Sequence, residues 1–295
     1  MEIDNKKYWN KIKEKKRIVI KVGSSTLTHK STGNLNYLKL EKLVRTISDL
    51  KNNGKEVILV SSGAVAVGRE ILKIGRKPKT MSEKQACAAI GQCKLMMDYN
   101  KLFSEYGLIA SQVLMTKYSL NAQKAYENLK NTFRELLNYG AVPIVNENDT
   151  VATNEIEFGE NDTLSAIVAS VTDSDLLVLL TDADGLYTDD PFKNKDAKFI
   201  DTVTDDRGAL YKMAKKSSDS DVGTGGMYTK VSAANIVNNL GIDLIIANGK
   251  NPNIISKIIN GEKNGTLFVA NKPQDVDIRE YLISNIDKEE KEWKV

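Results

Sequence analysis

The sequence is short of the residues on which many enzymes depend. In 295 residues it has one histidine, His29, and two cysteines, Cys87 and Cys93. These counts leave no plausible Ser–His–Asp set and no zinc-ligand spacing. The cysteines lie on different faces of a predicted helix, which favours small core residues in a reducing compartment. His29 lies in a polar loop, so we expect a structural or surface residue.

The sequence also lacks a strong excess of charge and any long apolar run. Its 42 basic and 39 acidic residues give a net charge of +3. This is not the large positive excess that is typical of a nucleic-acid-binding protein. No apolar run reaches the length of about 18 residues that indicates a membrane span. The lysine-rich segment 1–16 lacks the apolar core of a secretory signal, and we interpret it as a solvated helical extension. The composition therefore predicts a cytoplasmic protein without nucleic-acid or membrane partners.

Short apolar, β-branched runs alternate with longer helical patterns along most of the chain. Strands are predicted at 17–22, 56–61, 108–114, 142–146, 175–180, 243–247 and 266–269, with half of a short hairpin at 154–158. Helices are predicted at 38–53, 64–74, 82–106, 122–138, 162–171, 207–214, 227–240 and 253–260. Gly54, Gly107, Gly140 and Gly241 each follow a helix, as helix-ending residues with positive φ do. This order predicts an α/β fold whose parallel sheet is covered by helices on both faces.

Polar and glycine-rich clusters follow the predicted strands at the points where the strands end. They are 21–25, 61–64, 146–149 and 181–185, and a fifth cluster at 223–230 precedes a helix. Ligands bind outside the carboxyl ends of the strands in open α/β sheets. We therefore expect these clusters to converge on one edge of the sheet.

The segment Gly223-Thr224-Gly225-Gly226-Met227-Tyr228-Thr229-Lys230 is typical of a phosphate site, although its order is not that of a Walker P-loop. Its glycines let backbone N–H groups approach a ligand, and the N-terminus of the next helix favours an anion. Lys21 forms a second such element with Gly23 and Ser24, because a lysine in an apolar strand is costly unless it reaches an anion. Together they suggest two walls of one polyanion site. The alternatives are a Lys21 side chain that extends to the surface and a solvated Lys230.

Acidic and amide residues supply further candidates. Asp162 begins a predicted helix, where it either caps the helix or orients two lysines by charge pairing. The segment 146–149 either forms a turn or recognises a zwitterion whose ammonium would bind Asp149. The neutral donors for its carboxylate would be the backbone of Ser62 and Gly63 and the amides of Asn146 and Asn161.

The fifth strand ends in Thr181 and Asp182, which could contact a nucleotide together with the turn at Asp184, although Asp184 fits a plain loop equally well. Phosphoryl transfer depends mainly on positioning and charge stabilisation. A carboxylate acceptor is already ionised at neutral pH, so no general base is required. Two lysines, glycine-rich loops and no catalytic histidine therefore favour phosphorylation of a carboxylate.

Six segments, taken in order, resemble the amino acid kinase family and within it the glutamate 5-kinases. They are Ile-Lys-Val-Gly-Ser-Ser (20–25), Val-Ser-Ser-Gly-Ala-Val (60–65), Val-Asn-Glu-Asn-Asp (145–149), Phe-Gly-Glu-Asn-Asp-Thr-Leu-Ser-Ala (158–166), Leu-Leu-Thr-Asp-Ala-Asp-Gly-Leu-Tyr (179–187) and Gly-Thr-Gly-Gly-Met-Tyr-Thr-Lys (223–230). The resemblance runs from about Arg17 to Val269. It implies a three-layer αβα sandwich of the carbamate kinase-like type with a mainly parallel sheet. It also implies ATP-dependent phosphorylation of the side-chain carboxylate of L-glutamate to L-glutamyl 5-phosphate, the first step of proline biosynthesis from glutamate.

The resemblance further implies roles for individual residues. Lys21 and Lys230 would stabilise the transferring phosphoryl group, with Asp162 orienting them. Glutamate would be bound by Ser62, Gly63, Asn146, Asp149 and Asn161. ATP would be bound by Lys21, Gly23, Ser24, Thr181, Asp182, Thr224, Gly225, Gly226, Met227, Tyr228, Thr229 and Lys230. Mg²⁺ is expected mainly on the nucleotide phosphates, and no protein residue is assigned to it.

The implied organisation is an N-terminal extension (1–16), a kinase domain (17–270) and a charged C-terminal tail (271–295). The kinase domain would bind the amino acid through its N-terminal half and the nucleotide through its C-terminal half. The tail has room for one amphipathic helix but not for the PUA domain that many relatives carry. Two positions depart from the family pattern, since Glu160 stands where aspartate is common and Tyr228 where a small residue is usual.

Feedback inhibition by proline and a homo-oligomer, either a dimer or a tetramer, are also expected. Two alternatives stay open for the function. One is another kinase of the same fold, acting on acetylglutamate, aspartate or UMP. The other is a non-catalytic amino acid sensor.

Overall fold

The apolar runs of the sequence form the strands of a central sheet. The computed structural model describes residues 5–29, 32–151, 161–189, 191, 193–204, 226–271 and 275–293. Its strands are β1 (Arg17–Val22), β2 (Glu56–Ser61), β3 (Ala110–Met115), β4 (Val142–Glu147), β5 (Leu176–Thr181), β6 (Leu186–Tyr187), β7 (Phe199–Ile200), β8 (Thr202–Val203), β9 (Asp243–Asn248) and β10 (Thr266–Phe268). Its helices are α1 (Lys6–Lys11), α2 (Ser24–Leu27), α3 (Tyr37–Asn52), α4 (Ala64–Ile71), α5 (Met81–Ser104), α6 (Tyr118–Asn121), α7 (Gln123–Asn138), α8 (Asn161–Val171), α9 (Met227–Asn238), α10 (Ile254–Ile259) and α11 (Ile278–Trp293).

The main sheet has eight strands in the order β3-β4-β2-β1-β5-β9-β10-β8. The first six of these are parallel to their neighbours, as predicted. β10 pairs antiparallel with β9 and parallel with β8, so the last two strands run the other way. β6 and β7 form a separate two-stranded hairpin. The fold is therefore mainly, but not wholly, parallel.

Helices cover both faces of this sheet because successive strand residues point to opposite sides. On β1, Val19 packs into one apolar cluster, which contains residues from α7, α8, α9 and α11. Ile18, Ile20 and Val22 pack into the other cluster, with residues from α1, α3, α4, α5 and α10. The predicted three-layer αβα arrangement is confirmed. Within the described residues no helix is both long and apolar enough to cross a membrane.

The direction of the crossovers changes between β1 and β5. The chain leaves β1 through α3 on one face to reach β2, whereas it leaves β5 toward β9 through α9 on the opposite face. β1 and β5 are neighbours in the sheet, in a register that pairs Lys21 with Leu179. A reversal of this kind opens a crevice at the carboxyl ends of the two strands, where ligands bind in open α/β sheets.

The N-terminal segment departs from the sequence-based expectation. It contains the expected helix, but Trp9 and Ile12 are fully buried in the core. The Trp9 Nε1 atom donates a hydrogen bond to Thr202 Oγ1 at 3.1 Å. The interpretation of this segment as a solvated extension is wrong, because one face of it seals the sheet beside β8.

The C-terminal segment forms the expected amphipathic helix, α11. Leu282 and Ile286 are buried in the same apolar cluster as α8 and α9. The side chain of Arg279 donates hydrogen bonds to the carbonyl oxygens of Leu120 and Asn121. These contacts attach the end of the described chain to the helical layer above α8.

Other local predictions have mixed outcomes. Gly54, Gly107, Gly140 and Gly241 have φ of +78°, +68°, +72° and +82°, as expected of glycines that end helices. Cys87 is buried but Cys93 is exposed, so the expectation of two core cysteines is wrong for the second. His29 lies on the surface. The predicted helix at 207–214 and the hairpin strand at 154–158 lie outside the described residues.

Two glycines let α4 and α5 pack in direct backbone contact. A Cβ atom on Gly91 would lie 1.8 Å from the carbonyl oxygen of Ala64, and one on Gly68 would lie 1.9 Å from that of Cys87. Real Cβ atoms do not approach carbonyl oxygens so closely. The close crossing fixes the start of α4, which follows directly on Ser62 and Gly63.

Candidate active site

Lys21, Asp162 and Lys230 lie together at the carboxyl end of β1. Lys21 Nζ is 2.6 Å from Asp162 Oδ1, and Lys230 Nζ is 3.1 Å from Asp162 Oδ2. The Asp162 side chain is fully buried, while those of Lys21 and Lys230 are 9% and 8% exposed. The structure thus brings together the three residues that the sequence analysis named as catalytic candidates.

Each of these side chains is held by a different element. Lys21 points to the face of β1 that α8 and α9 cover, and Asp162 and Lys230 lie in the first turns of these two helices. The helices pack against each other within one apolar cluster. Their N-terminal ends carry partial positive charge that adds to that of the two ammonium groups.

The electrostatics of the trio favour an anion. Burial raises the pKa of Asp162, but the adjacent ammonium groups of Lys21 and Lys230 outweigh burial and lower it below its ordinary value. Asp162 is therefore ionised at neutral pH, and two buried cations share one carboxylate. Within the trio, two ammonium groups face one carboxylate in a site of low solvent exposure, where charge–charge interactions are stronger than in water.

Backbone and hydroxyl groups complete this part of the site. Thr229 Oγ1 donates a hydrogen bond to Asp162 Oδ2 at 3.0 Å and also lies 2.9 Å from the carbonyl oxygen of Gly226. A Cβ atom placed on Gly23 would lie 3.8 Å from Lys21 Nζ, so the backbone that follows β1 passes close to the Lys21 ammonium group. Such an arrangement can hold the oxygens of a polyphosphate.

The remaining residues predicted to bind ATP lie at the ends of β1 and β5 and at the start of α9. Ser24 is exposed. Thr181 is buried, and its hydroxyl donates a hydrogen bond to the exposed Asp182 at 3.2 Å. Asn248 at the end of β9 donates to the carbonyl oxygen of Asp182 and to Asp184 Oδ1, at 3.2 and 2.7 Å. Asp184 thus joins the loop after β5 to the end of β9, in agreement with the plain-loop interpretation.

Three further residues predicted to bind ATP, Gly226, Met227 and Tyr228, lie at the start of α9. Gly226 precedes the helix as its N-cap, and Met227 is half-buried. The ring of Tyr228 is 7% exposed and packs in the apolar core. Thr224 and Gly225 were also predicted to bind ATP, and Glu160 was noted as a departure from the family pattern; all three lie outside the described residues.

A chain of polar side chains lies beside the lysines. The Asn161 amide donates to Ser62 Oγ at 2.6 Å and to Asn146 Oδ1 at 3.1 Å. The Asn146 amide donates in turn to Gln92 Oε1 at 3.1 Å. Since Asn161 precedes Asp162 on α8, this polar network adjoins the charged trio through the backbone. Three of the residues predicted to bind glutamate are therefore in direct contact.

Gly63 and Asp149 flank this network. Gly63 has φ of +114°, a left-handed conformation that favours glycine, and it begins α4 next to Ser62. Asp149 lines a groove of about 630 Å³ between α5 and the ends of β3 and β4. Gln92 lines the same groove, and Lys84 Nζ is 4.0 Å from Asp149 Oδ1.

Gln92 is the member of the network that sequence reasoning missed. It lies in the middle of α5 and is 9% exposed. The residues around it in the sequence belong to none of the motifs described above. Its burial follows from the packing of α5 against the sheet, so no local sequence signal could have identified it. Among the described residues, no group of three or more histidine, cysteine, aspartate or glutamate side chains could hold a metal ion.

Comparison with known proteins gives the family. A model of the Amino acid kinase family matches residues 16–248. The protein named glutamate 5-kinase of Carboxydothermus hydrogenoformans is 52% identical over 261 residues, which cover 88% of this chain and 70% of that relative. The glutamate 5-kinase of Clostridium perfringens is 49% identical over 265 residues, which cover 88% of this chain and 98% of that relative.

Solved structures agree on the fold. The UMP kinases of Ureaplasma parvum and Bacillus anthracis superpose with TM-scores of 0.60 and 0.57, each at 18% sequence identity. They cover 86% and 89% of this chain and 99% of their own chains. At this identity the likeness concerns the fold alone, whereas the close sequence relatives identify the branch. The chain belongs to the amino acid kinase family and, within it, to the glutamate 5-kinases.

Proposed function

We propose that this protein transfers the γ-phosphoryl group of ATP to the side-chain carboxylate of L-glutamate. The product is L-glutamyl 5-phosphate, and the reaction is the first step of proline biosynthesis from glutamate. The observation that carries the proposal is the buried Lys21–Asp162–Lys230 trio beside the Ser62–Asn161–Asn146 network, in a chain about half identical to glutamate 5-kinases. A cationic centre for phosphoryl oxygens thus adjoins a set of polar groups suited to an amino acid.

In the proposed mechanism, Lys21 and Lys230 bind the oxygens of the transferring phosphoryl group. Preorganised cations of this kind stabilise charge that develops in the transition state and need no reorganisation during the reaction. Asp162 holds both ammonium groups in place and prevents their mutual repulsion from separating them. The acceptor carboxylate attacks as an ion, so no residue has to remove a proton.

We further propose that the nucleotide occupies the crevice at the ends of β1 and β5. The residues proposed to hold it are Gly23, Ser24, Thr181, Asp182, Thr224, Gly225, Gly226, Met227, Tyr228, Thr229 and the two lysines. A Mg²⁺ ion bound mainly to the phosphates would neutralise part of their charge. The two ammonium groups of the trio and the N-terminus of α9 fit a polyphosphate. The division into an amino-acid-binding half and a nucleotide-binding half of residues 17–270 is part of this proposal.

Glutamate is proposed to bind between the trio and the α5 groove. Ser62, Gly63, Asn146 and Asn161 would contact it beside Lys21, and Asp149 would bind its ammonium group. A free ammonium group is what distinguishes glutamate from acetylglutamate. Asp149 therefore supports glutamate over the acetylated acceptor, and the trio supports a kinase over a non-catalytic sensor.

A trapped-product assay tests the function. The protein is incubated with Mg-ATP, hydroxylamine and, in parallel, glutamate, acetylglutamate, aspartate or UMP. We expect γ-glutamyl hydroxamate from glutamate and little product from the other carboxylates. ADP release measured in the same tubes reports phosphorylation of UMP. The proposal is wrong if glutamate gives no hydroxamate at high enzyme concentration, or if another acceptor is used with greater kcat/KM.

We also propose that the activity is cytoplasmic, where ATP is supplied, and that proline inhibits it by competing at the glutamate site. The trapped-product assay, repeated over a range of glutamate with added proline, tests the inhibition. Proline should raise the KM for glutamate and leave kcat unchanged. An effect on kcat alone, or no effect, contradicts this part of the proposal.

The protein is proposed to be a homo-oligomer, a dimer or a tetramer. Cys93 and Met97 of α5 and Leu114 of the edge strand β3 line one side of the α5 groove and are exposed. Met97 is 63% exposed and Leu114 38%. We call these three residues the α5–β3 face. An exposed apolar face beside a strand that ends the sheet, as β3 does among the described strands, is typical of a protein–protein contact.

A further inference from the structure

Gln92 ends the polar network on its side away from the charged trio. It lies on α5, whereas Asn146 is the penultimate residue of β4, Asn161 begins α8 and Ser62 follows β2. Gln92 Oε1 accepts the hydrogen bond from the Asn146 amide at 3.1 Å, and both residues are buried, 9% and 5% exposed. The network therefore runs from the helical layer, through two asparagines, to the residues proposed to face the substrate.

The hydrogen bonds of the network have one direction. The Asn161 amide uses its two N–H groups on Ser62 Oγ and Asn146 Oδ1. Asn146 can accept from Asn161 only because its own amide nitrogen faces Gln92. Ser62 Oγ thus accepts within the network, and no side chain in the described part of the protein takes its hydroxyl proton, which can be donated to a ligand. The Oδ1 atom of Asn161 is likewise left as an acceptor.

The opposite direction is also chemically consistent, and it has a different consequence. If the Gln92 amide nitrogen faced Asn146, both asparagines would turn over and Asn161 Oδ1 would face Ser62. The Ser62 hydroxyl would then donate to Asn161 and would have no proton for a carboxylate. The acceptor oxygen at position 92 therefore selects which polar groups the site offers to an amino acid.

We propose that Gln92 is a positioning residue that sets the donor and acceptor directions of the glutamate-binding network. It does so through its Oε1 atom, without contacting the reacting atoms. With Gln92 as the acceptor, Ser62 offers a proton to a substrate carboxylate. Asn161 offers its oxygen to the ammonium group, and not the amide proton that the sequence analysis expected it to give the carboxylate, because both of its N–H groups are used within the network. This inference rests on the proposed function, because it takes the ligand of the network to be an amino acid.

Three variants test the inference. Gln92→Met has a similar volume but removes the acceptor, and the Asn146 amide then loses a buried partner. Gln92→Glu keeps an oxygen acceptor at the same place and should restore the network. Gln112→Met is the matched control, because Gln112 lines the same groove from β3 and is exposed.

The measurements are glutamate affinity, by calorimetry in the presence of a non-hydrolysable ATP analogue, and steady-state turnover. We expect Gln92→Met to weaken glutamate binding and raise its KM by on the order of tenfold, since the network can then turn over and withdraw the Ser62 proton from the substrate carboxylate. The KM for ATP should change little, whereas the thermal midpoint should fall by a few degrees because a buried polar group loses its partner. Gln92→Glu should bind glutamate several-fold more tightly than Gln92→Met, and Gln112→Met should match the wild type.

The outcomes separate this inference from the proposed function. Turnover of glutamate by the wild type, with Gln92→Met unchanged or with Gln92→Glu no better than Gln92→Met, overturns the role of Gln92 alone. An equal rise in the KM values for glutamate and ATP overturns it too, because that pattern indicates a general loss of structure. If the wild type binds glutamate without phosphorylating it, the proposed function is wrong while the binding comparison still decides the role of Gln92. A wild type that binds no glutamate overturns both.

Discussion

The Lys21 ammonium group lies 2.6 Å from Asp162 Oδ1, and this contact joins the central strand of the sheet to the first turn of α8. Lys230 reaches the other oxygen of the same carboxylate from α9. The buried carboxylate of Asp162 thus fixes the separation of two ammonium groups that are far apart in the sequence. The predictions for the active site follow from this arrangement.

The first prediction concerns the two lysines. Lys21→Ala and Lys230→Ala should each lower kcat by roughly 100-fold or more, the scale expected for one preorganised charge donor in a phosphoryl-transfer site. The trapped-product assay at saturating glutamate and ATP measures the effect. Lys257→Ala is the control, because Lys257 is an exposed lysine on α10. If either active-site variant kept the wild-type kcat, a non-catalytic sensor would become the better interpretation.

The second prediction concerns the carboxylate between them. Asp162→Asn keeps the shape of the side chain but removes the negative charge that both buried ammonium groups contact. We expect kcat to fall at least as far as for the lysine variants and the free energy of unfolding to fall by about 3 kcal/mol. Urea unfolding followed by circular dichroism measures the second effect.

The control for this change is Asp173→Asn. Asp173 pairs with Lys130, but its side chain is 56% exposed, and asparagine tolerates its positive φ of 48°. An exposed pair contributes little, so this variant should unfold within about 0.5 kcal/mol of the wild type. Equal losses of stability in the two variants would mean that the buried trio has no special role in stability.

The third prediction is the pH dependence of this stabilisation. The pKa of Asp162 is lowered in the folded protein from its ordinary value of 3.8, so ionised Asp162 stabilises the fold above that pH. The stabilisation declines as the pH falls below 3.8 and is lost once the pH passes the folded-state pKa. The difference in unfolding free energy between the wild type and Asp162→Asn should therefore be constant near neutral pH and shrink in acid. A difference that grew on acidification would show that the pKa is raised instead.

Much of this arrangement could be predicted from the sequence because it depends on strand ends. Lys21 stands out as a lysine in an apolar strand, and the order of strands and helices puts the ends of parallel strands at one edge. The meeting of Lys21, Asp162 and Lys230 follows from that order, although their distances do not. Local chemistry was therefore enough to predict that these three residues lie together.

Other features could not be predicted because their cause is non-local. Trp9 lies in a lysine-rich helix that reads as solvated, and its partner Thr202 is in a strand of two residues, too short to show alternation. Gln92 has no motif around it, and only the packing of α5 brings it to Asn146. Burial of a single polar side chain is a property of the assembled layers, which local sequence patterns do not record.

The fourth prediction concerns the helix crossing that supports Ser62 and Gly63. Gly91→Ala would place a Cβ atom 1.8 Å from the Ala64 carbonyl oxygen, so α4 and α5 must move apart. We expect the free energy of unfolding to fall by about 1–3 kcal/mol and the KM for glutamate to rise. Gly75→Ala is the control, since a Cβ atom there would meet nothing within 4 Å. Wild-type stability in Gly91→Ala would mean that the two helices are less closely packed than their backbones indicate.

The last prediction tests the proposed assembly. Met97 is 63% exposed on the α5–β3 face, and Met97→Glu would place a charge at the centre of the proposed contact. Light scattering coupled to size exclusion should give a dimer or tetramer for the wild type and a smaller species for Met97→Glu. Tyr139→Glu is the control, because Tyr139 is 77% exposed at the end of α7, on the opposite face of the sheet. A monomeric wild type, or an unchanged mass for Met97→Glu, would contradict the assembly through this face. Because Met97 and Asp149 line the same groove, a confirmed contact here would bring the partner subunit next to the proposed glutamate site.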